Sequence, residues 1–257
     1  MIKKALKILL VALLWLGLWQ ISALIIGEEL LFPSPISVTS RLFEMALTSA
    51  FYKTIITSLI RILIGMLAGT AIGALGGLLT AFSRFAKAFF SPFLAVIKST
   101  PVASFIILLV LWVSRDATPV IIASMMVVPV VWTNVETGFC NTDRALLEMA
   151  QVYKMNGTAR IKHIYLPSVS PYFFASLRSS LGMAWKAGIA AEVLLQPLVS
   201  IGKQIFESKQ TLETVDLFAW TVVVIILSVV IEKLMVLTLK ALSKRYSFDK
   251  KGGETVG

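Results

Sequence analysis

Asp143-Arg-Ala-Leu-Leu-Glu148-Met-Ala150-Gln-Val-Tyr-Lys154-Met-Asn-Gly157-Thr-Ala-Arg-Ile-Lys-His163-Ile164-Tyr-Leu166-Pro167 is a polar stretch set in an apolar chain. Leu146, Met149, Ala150 and Tyr153 recur at i, i+3, i+4 and i+7, so they share one face of a short helix. Glu148, Gln151 and Lys154 lie largely off that stripe. Asn156-Gly157-Thr158 supplies a helix stop and a candidate new N-cap, and Ile161, Ile164 and Tyr165 give a second short stripe. Pro167 ends the unit or opens the next helix as its first residue. A helix–turn–helix wedged between two apolar runs presents a shaped surface outside the membrane. The alternative on periodicity alone is an amphipathic connector lying on the bilayer.

Working outward, the chain is 57% hydrophobic and 15% charged, with a mean hydropathy of +0.86, the profile of a multi-span membrane protein. Its 257 residues suffice for about six helices of ~20 residues with short loops. Residues 8–26 follow Lys3, Lys4 and Lys7 and exceed the ~7–15 residues of a signal-peptide core, so a retained first span is expected. Pro33-Ser-Pro35 breaks the chain before a short interfacial helix over 37–47. The second span, about 55–81, carries Gly65, Gly69, Gly73 and Gly77 on one face, a ridge for close helix packing. The third, about 93–113, holds Lys98-Ser99-Thr100-Pro101 near its start, and the fourth is about 117–139. The fifth runs from about 171 to 195, a polar external segment spans 196–216, and the sixth is about 217–239.

Charge fixes the orientation. The external Lys and Arg residues on this layout are Arg41, Lys53, Arg115, Lys203 and Lys209. The side holding both termini and the 143–167 stretch carries most of the rest, including Lys240, Lys244, Arg245, Lys250 and Lys251. The positive-inside bias therefore puts that stretch and both termini in the cytoplasm. The net charge of +10 is accounted for by membrane orientation, and no nucleic-acid partner is expected. With Cys140 and His163 as the single cysteine and histidine, no disulfide, metal site or Cys/His catalytic set is expected. The chain has no phosphate-cradling Gly-Lys-Ser/Thr loop of its own.

Glu148, Ala150, Ile164, Leu166 and Pro167 fall at the spacing of the cytoplasmic EAA loop of ATP-binding-cassette (ABC) importer permeases. Asn134 and Gly138 before the loop agree, as do Pro171, Leu177-Arg178 and Trp185…Ala190-Ala191-Glu192 after it. With Pro33-Ser-Pro35 and Ser99-Thr-Pro101, the chain resembles the nitrate/sulfonate/taurine-type branch of that family from about Pro33 to the basic tail. It departs from the pattern where the loop usually carries Gly six residues after the Glu: here stands Lys154, with Gly157 three residues later.

The resemblance implies an all-α membrane protein of about six transmembrane helices, with a coupling helix–turn–helix between spans four and five. Residues 1–257 then form a single transmembrane permease domain: 1–54 hold the first span and external segment, 55–242 a core five-span unit, and 243–257 a basic cytoplasmic tail. It implies a cell-membrane transport subunit, not an enzyme, working as a homodimer with an ABC ATPase dimer and an extracytoplasmic solute-binding protein. No cofactor is expected on this chain, ATP and Mg²⁺ being held by the ATPase. Glu148, Met149, Ala150, Lys154 and Gly157 would meet the ATPase, and Ile164, Leu166 and Pro167 would tie the loop to the fifth span. The solute would be a sulfonate-, taurine- or nitrate-like anion.

Charges at membrane depth cost roughly 2.5–3.5 kcal/mol each on insertion scales and so face protein or water. Lys98, Ser99, Thr100, Trp185, Lys186 and Glu192 are candidates for a translocation path that favours anions. The alternative is a structural role, with Glu192 reaching the outer face, Lys186 paired in the bundle and Trp185 in packing. Lys186 and Glu192, six residues apart, stand about 120° off each other and do not pair within one helix. The competing function is a self-sufficient carrier or channel that uses Lys98, Lys186 and Glu192 as coupling charges.

Overall fold

The computed structural model describes the backbone of residues 2–247 and the side chains of 6, 7 and 10–239. Lys250 and Lys251 of the expected basic tail lie outside the described residues, as do the side chains of Lys3, Lys4, Lys240, Lys244 and Arg245. The regular structure of the described residues is all helical: α1 (Ile2–Ile26), α2 (Pro35–Ala46), α3 (Ser49–Phe82), α4 (Arg84–Ser99), α5 (Val102–Leu109), α6 (Thr118–Cys140), α7 (Arg144–Val152), α8 (Gly157–Arg160), a π-helical turn (Ile161–Tyr165), α9 (Leu166–Leu195), α10 (Ile201–Gln210) and α11 (Thr214–Ser247).

Three of these, α3, α6 and residues Thr214–Leu239 of α11, are long and apolar enough to cross a membrane, against the six spans expected. The apolar part of α1, Leu10–Ile26, is shorter. The 30 residues of α9 carry Arg178, Lys186 and Glu192 within their apolar run. The expected third span is divided at its Ser99-Thr100-Pro101 break. It is two helices, α4 and α5, that meet at 101°. Pro101 has no N–H to continue α4, and the residue before a proline is driven out of the helical region. Thr100 accordingly sits at φ −81°, ψ 130°.

The chain divides into two compact units, the first comprising 1–59 with 192–227 and the second 60–191 with 228–257. In the first, Ser34 caps α2 by accepting from the Ser37 N–H, with Pro35 in the first turn. The Arg41 guanidinium forks onto Asp216, Nε to Oδ1 at 2.6 Å and Nη2 to Oδ2 at 2.9 Å, and Nη1 reaches Glu44. The Phe218 ring meets Trp19 at a tilt and Phe32 edge-on, and Trp220 meets Phe51 at a tilt.

In the second unit the glycine ridge of α3 lies on the backbone of α6. A Cβ built on Gly65 would stand 2.3 Å from the Val120 carbonyl oxygen. On Gly69, Gly73 and Gly77 it would stand 2.6–2.8 Å from the carbonyls of Ser124, Val128 and Trp132. Gly76 leaves room for the Trp132 ring, whose Nε1 donates to Thr80 Oγ1 at 3.0 Å. Four successive turns of backbone contact make α3 and α6 one packed pair.

Candidate functional site

The 143–167 stretch folds as two capped helical pieces. Asp143 accepts from the Ala145 N–H at 2.9 Å to open α7, and Asn156 accepts from the Ala159 N–H at 2.8 Å to open α8. Between them the chain stops α7 with a Schellman motif: Met155 N–H donates to the Ala150 carbonyl and Lys154 N–H to that of Gln151. The motif needs a left-handed residue, and Lys154 provides it at φ 47°. The turn therefore sits at Lys154 itself, and Gly157, the expected helix stop, is the first residue of α8. A Cβ on Gly157 would meet nothing within 4 Å.

The α7 stripe is divided. Ala150 is fully buried, whereas Leu146, Met149 and Glu148 are exposed and Val152 and Tyr153 are more than three-quarters so. Pro167 is the second residue of α9, so it opens that helix and does not end the helical path. The chain runs helically from Gly157 to Leu195, and the π-turn at 161–165, closed by Leu166 N–H to the Ile161 carbonyl, lies immediately before the residue that has no N–H to give. Ile164 is buried, and Leu166 and Pro167 are exposed. A tie to the spans comes from a residue that sequence reading placed only in a stripe. The Tyr165 ring meets Phe82 at the end of α3 (5.8 Å between centroids) and Phe139 near the end of α6 (5.3 Å), and those two rings also touch.

A second polar region lies within the same unit, on α4. Lys87, Ser91, Leu94, Ala95 and Lys98 recur at i, i+4, i+7, i+8 and i+11 and line a cavity of about 320 Å³. Thr133 and Glu136 of α6 and Thr80 of α3 complete it. Glu136 is held on both oxygens, by Lys87 Nζ at 2.7 Å and by the Thr80 hydroxyl at 2.8 Å. Lys98 therefore shares a cavity with an ion pair. Ser99 and Thr100 do not line it, and their hydroxyls donate back to the Val96 carbonyl. Glu136 is the residue that sequence reasoning missed. An acid inside an apolar span was the available signal, because such a charge requires a partner.

The remaining path candidates are not gathered here. Lys186 is exposed and Trp185 buried on α9. Glu192, in the first unit, is fully buried: Oε2 accepts from the Ser58 hydroxyl at 2.7 Å and from the Gly202 N–H at 3.3 Å. Ser58 Oγ in turn accepts from the Ile201 N–H at 2.9 Å, and Ser200 caps Lys203 N–H at 3.1 Å. Together they satisfy three of the four N–H groups that the start of α10 leaves without helical partners.

Residues 62–248 match the family described as "Binding-protein-dependent transport system inner membrane component". The chain is 25% identical over 219 residues to the Bacillus subtilis "Putative aliphatic sulfonates transport permease protein SsuC", covering 84% of this chain and 79% of that protein. It is 28% identical over 192 residues to the nitrate import permease protein NrtB of Synechococcus elongatus, covering 70% and 68% respectively. Among solved structures, an amino acid ABC transporter crystallised with histidines shares the fold, with a TM-score of 0.60, 17% identity, and coverage of 79% of this chain and 97% of that one.

Proposed function

Because the chain belongs to the family of binding-protein-dependent transport system inner membrane components, we propose that it is the membrane-spanning half of an ATP-driven importer for a small anion. It is a transport subunit, as its relatives are, and not an enzyme. On this reading a homodimer of six-span chains sits in the cell membrane with both termini cytoplasmic. A separate pair of ATPase subunits binds ATP and Mg²⁺, and an extracytoplasmic binding protein delivers the solute. Sulfonate and nitrate, the solutes named for the two relatives above, are both anions, which supports that class of cargo.

The observation that carries the proposal is the bare outer face of α7. Leu146, Met149, Val152 and Tyr153 are exposed on a helix that is capped at its start and locked at its end. Apolar residues on a rigid, cytoplasmic turn suit a protein partner. A push on α7 would pass through Lys154 to the helix beyond it and, by the Tyr165 rings, to the ends of α3 and α6. Glu148 would orient α7 at the rim of that contact, Gly157 would admit the partner closely, and Ile164, Leu166 and Pro167 would carry the connection into α9. The carrier alternative is the poorer account, since one of its three charges, Glu192, is spent in capping α10.

The test is co-purification of the tagged chain from its native membranes in mild detergent. Wild type should bring down an ATPase, and Glu148→Arg or Met149→Asp should lose it while the chain still inserts. A chain that purifies alone as wild type, or an ATPase that stays with both variants, would remove α7 from the mechanism.

A further inference from the structure

The cavity against α4 has a charge balance that the importer reading does not by itself supply. Its walls carry two lysines and one acid, and the acid is already satisfied, by Lys87 and by Thr80. Thr80 is occupied as well, since it takes the Trp132 N–H. Thr133 spends its hydroxyl proton on the Pro129 carbonyl. Two polar side chains of the lining are left without a described partner. Lys98 makes no ion pair with a described residue, and the Ser91 hydroxyl makes no hydrogen bond with one. They stand two turns apart on the same face of α4, with Leu94 and Ala95 between them. Leu94 is buried against Val128 and Trp132, so this part of the wall is fixed and apolar.

A wall with three ionic side chains does not suit lipid, because each would cost kilocalories in hydrocarbon. It faces water or protein. The net charge of the lining, +1, calls for a single negative charge. The volume of about 320 Å³ would hold on the order of ten waters, and hence an anion of several heavy atoms with part of its hydration.

We propose that this cavity is an anion subsite, with one oxyanion head held by Lys98 Nζ and the Ser91 hydroxyl and a short apolar body lying on Leu94 and Ala95. Lys87 serves the site indirectly: it neutralises Glu136, which would otherwise repel the ligand. The ligand class is a small organic monoanion of the alkanesulfonate kind. A bare inorganic anion would use the head position and leave the apolar wall empty, and a dianion would leave one charge uncompensated. The proposal rests on the importer reading for its place on a transport path, and it adds the residues and the shape of the cargo.

The test uses the full-length chain in nanodiscs of phosphatidylcholine, titrated with ethanesulfonate and, separately, with the neutral ethyl methyl sulfone. Binding is read as the rise in unfolding midpoint with ligand concentration. Ethanesulfonate should stabilise the wild type saturably and the sulfone should not. Lys98→Gln should weaken the apparent affinity about tenfold or more, as loss of a charge-assisted hydrogen bond does, and Ser91→Ala by a smaller factor. Lys98→Arg, which keeps the charge, should retain binding, so a fold defect in Lys98→Gln does not decide the result. Equal affinity in Lys98→Gln and wild type, equal response to the sulfone, or no response to ethanesulfonate would each overturn the proposal. So would a saturable response seen only when phosphatidylglycerol is added to the discs, which would make the site one for a lipid headgroup. Co-purification of the ATPase with wild type is scored in the same preparation. An ATPase retained beside a silent titration defeats the subsite and leaves the importer reading standing.

Discussion

The contact between α3 and α6 can be probed by a single methyl group. Gly65→Ala would put a Cβ 2.3 Å from the Val120 carbonyl oxygen and 2.9 Å from the Ala123 methyl. Ordinary contact begins at 3.4 Å, so the approach is 1.1 Å too close and the obstacle is backbone, which cannot swing aside. The helices must part by on the order of 1 Å, and a gap of that size forfeits a quarter to a half of each dispersion contact along the seam. Overpacking of this kind costs about 1–3 kcal/mol. The gain from replacing a mid-helix glycine with alanine offsets up to about 1 kcal/mol of it. The net expectation is a loss of roughly 1–2 kcal/mol, seen as a fall of several degrees in the thermal midpoint of the purified protein. Gly17→Ala in α1, where a Cβ meets nothing within 4 Å, is the control and should be neutral or slightly stabilising. Adding Gly69→Ala to Gly65→Ala should cost less than the two singles summed, because the first has already opened the seam. Equal midpoints for Gly65→Ala and Gly17→Ala would refute the reasoning.

Three further expectations follow from particular contacts. Lys154→Gly relieves a left-handed backbone in a side-chain-bearing residue and should stabilise the chain by about 1 kcal/mol without weakening ATPase co-purification; an unchanged or lower midpoint would count against it. Glu192→Ala leaves the Gly202 N–H and the Ser58 hydroxyl short of a partner, at about 1–3 kcal/mol, so proteolysis around Lys203 and Lys209 should speed up, and Glu192→Gln, which keeps an acceptor, should change less. Asp216 first, and Glu44 second, hold the Arg41 guanidinium protonated to well above its ordinary range. A raised basic group stabilises fully below its unfolded pKa and loses that contribution only as the pH climbs through the folded value, so between pH 6 and 9 this pair should contribute no pH dependence. Arg41→Lys, which loses the fork onto Asp216, should lower the midpoint by the same small amount across that range.

What was legible in the sequence is what depends on local pattern. The polar 143–167 stretch announced itself by interrupting an apolar chain, and the four-residue spacing of Gly65 to Gly77 marked a close-packing face before its partner helix was known. Lys154 was visible as a departure from a glycine pattern, but only the backbone shows that lysine adopts the glycine conformation and leaves the turn where it was. Pro101 announced a break and not its 101° angle, because a missing N–H ends a helix without setting the direction of the next. The polar contacts were out of reach for a different reason. Thr80 and Glu136 are 56 residues apart, and Ser58 and Glu192 are 134 apart, and no helical period links positions so distant. Tyr165 read as one more member of a stripe because the rings it meets come from the ends of two other helices.

The exposed face of α7 also bears on the life of the chain in the cell. Val152 and Tyr153 stand open in the single chain, on a helix held rigid at both ends, so the chain cannot hide them by refolding the turn. Apolar side chains displayed in this way are what chaperones and proteases survey. A permease made in excess of its ATPase should therefore be short-lived, and its abundance should follow that of its partner. Quality control would then set subunit stoichiometry through the same few side chains that the proposed reading gives to the ATPase contact.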